Sequence, residues 1–401
     1  TVVGRRKRSW DSAHPIMWGG PYIRPQPQPV IMPEPTFDFF PRGTQLLVTD
    51  RIERRMHEEL DAGADASAAY DAMEQEQVRQ LREEPDFRDE LRAAFAEAGV
   101  NLVSATMMGF DRTGTYADGV RADLARWNGR FDAVPWLRRA TSPAEAREIV
   151  DDGDVGVVPN TQNLGAAIEG DVETVEELYN AGVRVGQLTY NSQNLVGHGC
   201  TDRVDAGLSN HGVEALERMN ELGMVVDLSH CGRQTTLDAV ELSDGPVAYT
   251  HTFSNELSAH DRGKSDEELA ALQAVDGYVG VLAVPFFLEP GSAEASFSQV
   301  FDHIDYMVEH VGIDRVGIGT DWGSWTPEIP EELHEGFMRT FKSLGFREEH
   351  GVTIGRGFGP MQAYEDWPAI PEGLEARGYD EDERRKLLGG NFLDFWARAV
   401  A

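Results

Sequence analysis

The sequence of 401 residues predicts an α/β protein folded as a (β/α)8 TIM barrel. Short runs rich in Val, Leu and Ile alternate with longer stretches of helical periodicity, and the short runs are apolar almost throughout. Such runs, separated by helices, are typical of parallel strands that are covered on both faces. Eight strand–helix units in about 350 residues fit a closed barrel with insertions better than an open doubly wound sheet.

The predicted elements follow one another along the chain. Two helices begin on good N-caps, Ser209 and Ser265, and Glu268 completes a capping box with Ser265. No glycine-rich phosphate loop follows a strand, and no repeat of solenoid length is present. The predicted strands are 45–50, 100–107, 155–160, 183–190, 224–230, 246–251, 278–284 and 315–322, and the predicted helices include 171–181, 209–222, 234–242, 265–274, 298–311 and 380–400.

The first 43 residues predict an extended N-terminal arm, which leaves 44–401 as a single barrel domain. Because proline fixes φ and has no N–H to donate, this segment cannot form a regular helix or a central strand. Its aromatic residues predict that it lies over a domain or a neighbouring subunit, so a homodimer is expected. The prolines of the arm stand at positions 15, 21, 25, 27, 29, 33, 35 and 41.

The net charge of −33 excludes nucleic acids and acidic membranes as favoured partners. Only four of the 36 basic residues are lysines, and together with the acidic excess this predicts a salt-adapted surface from a high-salt cytoplasm. Equal stability in dilute buffer and in molar salt would refute that prediction. Two cysteines, Cys200 and Cys231, suit a reducing compartment. No run reaches the roughly 20 apolar residues of a membrane span and no signal peptide is recognisable, so a cytoplasmic protein is expected.

Polar residues at the predicted strand ends point to the chemistry, because barrel active sites form at the carboxyl ends of the strands. His230 ends the fifth strand, His251 the sixth and Asp321 the eighth, while Gln162 follows the third and Tyr190 ends the fourth. A single His at a strand end is more often structural than a ligand. Two at successive ends, together with Asp321, indicate a divalent metal such as zinc with one position open to water. The other predicted ligand is Gln162.

The remaining histidines are weaker candidates for the site. Four of them lie in acidic helix or loop context and are predicted to be surface residues: His303, His310, His334 and His350.

Several segments in the second half of the chain resemble the membrane (renal-type) dipeptidase family, peptidase family M19. They are 183–212, 219–230, 250–252, 317–321 and 388–393, in order and with plausible spacing. The resemblance implies a barrel of the metal-dependent hydrolase type that cleaves a dipeptide or small amide with metal-activated water. It also implies that His230 and His251 bind the second zinc of the family, that Asp321 binds the first and handles the proton, and that Arg262 holds a substrate carboxylate.

The sequence departs from the family pattern at three places. The His-x-Asp pair of strand one has no counterpart in 46–54, the bridging glutamate is replaced by the segment from Asn160 to Asn163, and the histidine of strand four is replaced by Tyr190. A neutral amide offsets the repulsion of two cations poorly. One metal ion, most simply Zn²⁺, is therefore expected rather than two, and a site without metal is the alternative. His14 or Asp50 is an alternative source of a ligand.

Three functions remain open at this point. The leading one is a dipeptidase-like hydrolase in which Asp321 shuttles the proton, Tyr190 donates to the oxyanion and Arg262 anchors the carboxylate. The alternative is a one-metal barrel enzyme that acts on a non-peptide small carboxylate or amide as a lyase, decarboxylase or amidohydrolase. The third is a catalytically silent homologue.

Overall fold

A computed structural model describes residues 37–40, 50–63, 66–108, 115–292, 295–321, 331–353, 358–361 and 364–401. Within these residues the chain forms one parallel sheet of nine strands with helices around it. The strands are β1 Phe37–Phe40, β2 Leu102–Thr106, β3 Leu137–Arg139, β4 Val155–Thr161, β5 Val185–Gln187, β6 Val225–Asp227, β7 Ala248–Thr252, β8 Tyr278–Val281 and β9 Val316–Ile318.

The strands follow the order expected of a barrel. Hydrogen bonds join β1, β2, β4, β5, β6, β7, β8 and β9 in that sequence, all in parallel, and β1 lies beside β9 at the other end of the path. The short strand β3 pairs only with the first half of β4. The predicted α/β barrel is therefore confirmed, and seven of its eight predicted strands coincide with β2 and β4 to β9.

Helices connect the strands and cover the sheet. The predicted N-caps are confirmed: Ser209 accepts from the Gly212 N–H, and Ser265 forms its capping box with Glu268. A π-helical turn at Lys386–Gly390 interrupts the predicted helix 380–400. The helices are α1 Asp50–Asp61, α2 Ala66–Glu83, α3 Pro85–Ala98, α4 Tyr116–Ala133, α5 Pro143–Asp151, α6 Leu164–Ala167, α7 Thr174–Asn180, α8 Asn210–Leu222, α9 Arg233–Leu242, α10 Asp266–Ala274, α11 Pro285–Leu288, α12 Ser298–Val311, α13 Glu331–Ser343, α14 Ala369–Arg377, α15 Glu381–Arg385 and α16 Asn391–Ala399.

The first strand lies elsewhere than predicted. Phe37–Phe40 forms β1 and pairs with β2, whereas Asp50, the last residue of the predicted strand, begins α1. Pro35 and Pro41 flank β1 and so remove no hydrogen bond from within it. Residues 45–49 and 1–36, which include His14, lie outside the described residues. The arm and the dimer stay predictions.

One end of the barrel is closed by apolar side chains. The first residues of β2, β5, β6, β7 and β8 pack in one cluster with α16, which contributes Phe392, Phe395 and Trp396. Burial of this apolar surface fixes α16 across the amino-terminal end of the strands. The opposite, carboxyl end of the strands carries the two predicted histidine ligands: His230 follows β6, and His251 lies in β7.

Candidate metal centre

The two histidines predicted from the strand ends lie together. His230 follows β6 by three residues and His251 lies within β7; both side chains are buried. Their Nε2 atoms are 3.0 Å apart, and their rings are tilted by 54° with centroids 5.0 Å apart. The adjacent parallel strands β6 and β7 thus bring two imidazoles from 21 residues apart in sequence into direct contact.

The contact of His230 Nδ1 determines which ring nitrogen of this histidine carries the proton. Nδ1 lies 2.7 Å from Oδ1 of Asn191. The amide of Asn191 is oriented by Leu344, whose carbonyl oxygen accepts from Asn191 Nδ2 at 2.9 Å. Because Oδ1 is an acceptor only, His230 Nδ1 carries the proton and donates it. The Nε2 lone pair of His230 consequently points toward His251.

His251 is fixed in the same tautomer by a different partner. Its Nδ1 is 2.8 Å from the Thr250 Oγ1, and that hydroxyl donates to Oδ2 of Asp227 at 2.7 Å. The single hydroxyl proton is thereby used on the carboxylate, so Thr250 accepts from the His251 Nδ1–H. The carboxylate is buried and also accepts from the N–H and hydroxyl of Ser229 and from the Thr250 N–H. His251 therefore also presents a lone pair on Nε2.

The backbone around His251 is irregular. The register between β7 and β8 shifts between Tyr249 and Thr252, as in a β-bulge, which turns a side chain away from the regular alternation. Close approach of the neighbouring strands needs glycine at two positions. A Cβ on Gly280 or Gly319 would lie 2.1 or 2.0 Å from the Thr250 carbonyl oxygen.

The protonation state of the pair suits metal ligands. Burial lowers the pKa of both His230 and His251 well below the usual value, and the nearby charge of Arg262 lowers each pKa further. Both rings are therefore neutral near pH 7, as metal ligands must be. With tetrahedral geometry and Zn–N bonds of about 2.0–2.1 Å, two ligand nitrogens stand about 3.3–3.4 Å apart. The observed separation of 3.0 Å is a few tenths of an ångström shorter, so a small outward shift of the two rings would accommodate one ion.

The rest of the predicted ligand set is less complete. Among the residues that the structure describes, no group of three or more His, Cys, Asp or Glu side chains is arranged to hold a metal ion. Gln162 follows β4 and is buried, with its Nε2 3.2 Å from Thr106 Oγ1. Asp321 is half-buried after β9, at φ 49°, and its charge opposes the lowering of the Arg262 pKa by burial. As metal ligands, Gln162 and Asp321 stay predictions.

Arg262 joins the two strand ends that carry the histidines. It is fully buried, and its terminal nitrogens donate to the backbone oxygens of Ser229 and His251. Burial lowers its pKa from the usual value. The Nε–H has no hydrogen-bond partner among the described residues. Binding of a substrate carboxylate by Arg262 stays a prediction, and the Nε–H and the second N–H of each terminal nitrogen could serve it.

Tyr190 lies beside the first histidine. Its ring stacks on His230 with centroids 4.2 Å apart and planes 21° from parallel, and its side chain is half-buried. The structure therefore brings Tyr190, His230 and His251 together, while Arg262 contacts the backbone of the same strand ends. The predicted donation from the Tyr190 hydroxyl to an oxyanion stays a prediction.

Comparison with known protein families decides the membership of the chain. The model of membrane dipeptidase, peptidase family M19, matches residues 117–338, which is more than half of the sequence. The chain belongs to the membrane dipeptidase family. This result confirms the resemblance inferred from the strand-end motifs, and the matched region contains Tyr190, His230, His251 and Arg262.

Curated relatives in the family are similar over part of their length. An uncharacterized dipeptidase of Schizosaccharomyces pombe is 32% identical over 173 residues, which is 42% of this chain and 41% of that protein. Dipeptidase verJ of Clonostachys rogersoniana is 30% identical over 189 residues, 46% of this chain and 48% of that protein. The chain thus spans about half the length of the curated relatives it matches.

Solved structures of the family share the fold. An amidohydrolase from Pseudomonas aeruginosa superposes with a TM-score of 0.70 at 24% identity and covers 92% of this chain and 97% of its own. A family M19 metallopeptidase, dipeptidase AC, gives 0.68 at 20% identity and covers 92% and 99%. These likenesses confirm the barrel. Within the described residues, no helix is both long and apolar enough to cross a bilayer.

Two histidines of this family member are buried against expectation. His303 and His350 were expected on the surface, but each is 2% exposed. The surface prediction for His303 was wrong because α12 is amphipathic. His303 lies on its inward face and contacts Phe253, although its sequence neighbours are acidic. The Nδ1 atom of His303 accepts from the Ser254 N–H at 3.1 Å. His350 packs its ring near that of His260, with centroids 4.7 Å apart.

Two buried rings, those of His260 and His303, predict loss of stability in acid. Burial lowers the pKa of His260 and of His303 to about 4. Because an unfolded histidine has a pKa of about 6.5, the unfolded chain binds more protons below that pH. The stabilising contribution is therefore complete above pH 6.5 and is lost as the pH falls toward 4, by up to about 3 kcal/mol for each ring.

Urea unfolding at pH 7.5 and pH 4.5 measures this effect. The variant His303→Asn keeps an acceptor for the Ser254 N–H and should lose part of the pH dependence. The half-buried His310 provides the matched control, and His310→Asn should retain it. An unchanged pH dependence in His303→Asn would contradict the prediction.

Proposed function

We propose that the chain is a metal-dependent hydrolase of the dipeptidase type, which cleaves a dipeptide or small amide that carries a carboxylate. The observation that carries the proposal is the contact of two neutral histidines, His230 and His251, through Nε2 atoms 3.0 Å apart. Membership of the membrane dipeptidase family supports the same reaction class. The proposed metal is one Zn²⁺ ion, with both Nε2 atoms among its ligands.

A bound divalent ion supplies two effects at such a site: it lowers the pKa of a water molecule to about 7 and polarises a carbonyl oxygen. His230 and His251 would hold the ion, and their tautomers direct both Nε2 lone pairs toward it. Asp321 is proposed to accept the proton of the attacking water and to deliver it to the leaving amine. Tyr190 is proposed to donate its hydroxyl proton in a hydrogen bond to the substrate carbonyl oxygen.

The carboxylate of the substrate is proposed to be recognised through Arg262. Each terminal nitrogen of Arg262 donates one N–H to a backbone oxygen, so its contribution would come from the Nε–H, from the second N–H of each terminal nitrogen and from its positive charge. The guanidinium remains charged at neutral pH even when buried. A buried cation next to the histidine pair favours an anionic substrate over a neutral one.

Metal content and turnover of the purified chain test this proposal together. We expect about one equivalent of zinc by elemental analysis, and hydrolysis of a panel of dipeptides that stops on chelation and returns with zinc. Amidated dipeptides, which lack the terminal carboxylate, should be poorer substrates. Turnover of non-peptide carboxylates or amides alone would replace the dipeptidase proposal by the alternative reaction class. Bound zinc with no turnover of either panel would contradict the hydrolase.

A cytoplasmic location is part of the proposal. Both cysteines are free thiols, Cys200 half-buried and Cys231 buried, in accord with a reducing compartment. The cytoplasmic location, the salt-adapted surface and the homodimer stay predictions.

A further inference from the structure

We propose that Asn191 is a positioning residue for His230 and that the segment 344–351, here called the connector, holds Asn191 in that role. The connector follows α13 and crosses to the loop after β5, which carries Asn191. It is remote from Asn191 in sequence, and it provides the acceptor that orients the amide: the Leu344 carbonyl oxygen, 2.9 Å from Asn191 Nδ2.

Asn191 is held at both ends of its side-chain amide and at its backbone oxygen. Its Oδ1 faces His230, its Nδ2 donates to Leu344, and its backbone oxygen accepts from both the N–H and the hydroxyl of Thr201 at 2.8 Å. The residue is buried with φ 50°, a left-handed conformation that asparagine tolerates better than most side chains. No rotation of the amide is possible without breaking at least one of these bonds.

The connector is fastened to both strand-end loops. Arg347 donates to the Thr201 carbonyl oxygen and to Asp261, and His350 contacts the same Asp261 carboxylate at 3.2 Å. Asp261 directly precedes Arg262 in the loop after β7. The contacts therefore close a ring from Asn191 through Leu344, Arg347 and Thr201 back to Asn191.

Close packing completes the ring. Gly345 has φ 91°, and a Cβ at this position would lie 2.6 Å from the Thr201 hydroxyl and 2.8 Å from that of Ser192. Only glycine lets the connector approach Asn191 this closely without displacing the loop. The position of Leu344, and with it the amide of Asn191, is thus set by packing as well as by hydrogen bonds.

The consequence concerns the tautomer of His230. Asn191 Oδ1 is the acceptor that keeps the proton on His230 Nδ1. Without it, the proton can move to Nε2, which can then donate to His251. The ring would then present the wrong nitrogen to a metal ion. Partners that orient a ligating histidine in this way typically change metal affinity by about 10–100-fold when removed. This consequence rests on the proposed function, whereas the tautomer itself does not.

Two measurements on the full chain separate the tautomer of His230 from its effect on metal affinity. Nitrogen-15 NMR of the histidine rings in the metal-free protein reports the tautomer, and zinc affinity is measured by competition with a chelator. Asn191→Gly permits the left-handed backbone and removes the side chain; we expect an Nε2–H form of His230 and zinc affinity lower by about 10–100-fold. Asn191→Asp retains an acceptor and should restore the Nδ1–H tautomer.

Matched variants control for loss of folding. Asn255 donates from Nδ2 to the His260 carbonyl oxygen at 2.9 Å in the other loop, and Asn255→Gly should leave the His230 tautomer unchanged. Arg347→Met leaves Asn191 intact but releases the connector, so zinc affinity should fall about threefold to tenfold. Arg339→Met, an exposed arginine of α13, should have no effect.

An Nδ1–H tautomer that persists in Asn191→Gly would overturn the proposal, as would equal effects of Asn191→Gly and Asn255→Gly. If the wild-type chain binds no zinc, the proposed function fails, but the NMR result still decides the role of Asn191.

Discussion

Replacing either histidine of the pair by alanine should remove tight zinc binding and lower turnover by about a thousandfold or more. His230→Ala and His251→Ala each delete one of the two proposed Nε2 ligands, which lie 3.0 Å apart. The metal contributes several kcal/mol to a hydrolytic transition state, and each 1.36 kcal/mol corresponds to a tenfold change in rate. Since both histidines are proposed to bind one ion, the double variant should lose little more activity than either single variant.

Elemental analysis and steady-state rates on the three variants measure these effects. His310→Ala is the matched control. His310 is half-buried on α12, and its Nδ1 forms a hydrogen bond with the Tyr306 carbonyl oxygen. Its zinc content and turnover should equal those of the wild type. Retention of one equivalent of tightly bound zinc in both single variants would place the metal elsewhere and contradict the site.

The barrel could be predicted because its strongest signal is local. Seven apolar runs bounded by turns coincide with strands, and each is buried on both sides. The prediction of the first strand was wrong. Phe37–Phe40 is a run of only four residues in a proline-rich segment, whereas 45–50 is the more continuous apolar run. Pairing with β2 determines which of the two segments forms the strand, and the local sequence pattern carries no information about that tertiary contact.

The histidine pair could be predicted for a related reason. Neighbouring parallel strands end at the same edge of the sheet, so residues at successive strand ends must lie close. The orienting groups were missed because they depend on distant sequence: the Asn191 amide is fixed by Leu344, 153 residues further along the chain. Thr250 adjoins His251, but its role requires Asp227 on another strand. Burial of Arg262 was likewise invisible in an acidic loop.

A second large effect is expected on stability, at the buried ion pair of Lys264 and Glu268. Their side chains are 2% and 4% exposed, with Nζ 2.9 Å from the carboxylate oxygen. Lys264 also donates to the Cys231 carbonyl oxygen and to the Thr236 hydroxyl, which uses all three of its protons. Removing one partner of such a pair leaves an uncompensated buried charge and costs about 3–5 kcal/mol.

Lys264→Met should therefore lower the free energy of unfolding by about 3–5 kcal/mol, as measured by urea denaturation. The double variant Lys264→Met/Glu268→Gln removes both charges and should recover most of this loss, because the amide oxygen can still accept from Ser265 in the capping box. The exposed pair Arg339 and Glu335 is the control, and Arg339→Met should change stability by less than about 1 kcal/mol. A double variant no more stable than Lys264→Met would contradict this account.

The same variants separate stability from metal binding. Lys264 lies two residues after Arg262, and its bond to Cys231 adjoins His230, yet none of its donors contacts either imidazole. The double variant should consequently fold and bind zinc with an affinity within about threefold of the wild type, since the His230 and His251 tautomers depend on Asn191 and Thr250 instead. A large loss of zinc affinity in the folded double variant would show that this ion pair also sets the geometry of the histidines.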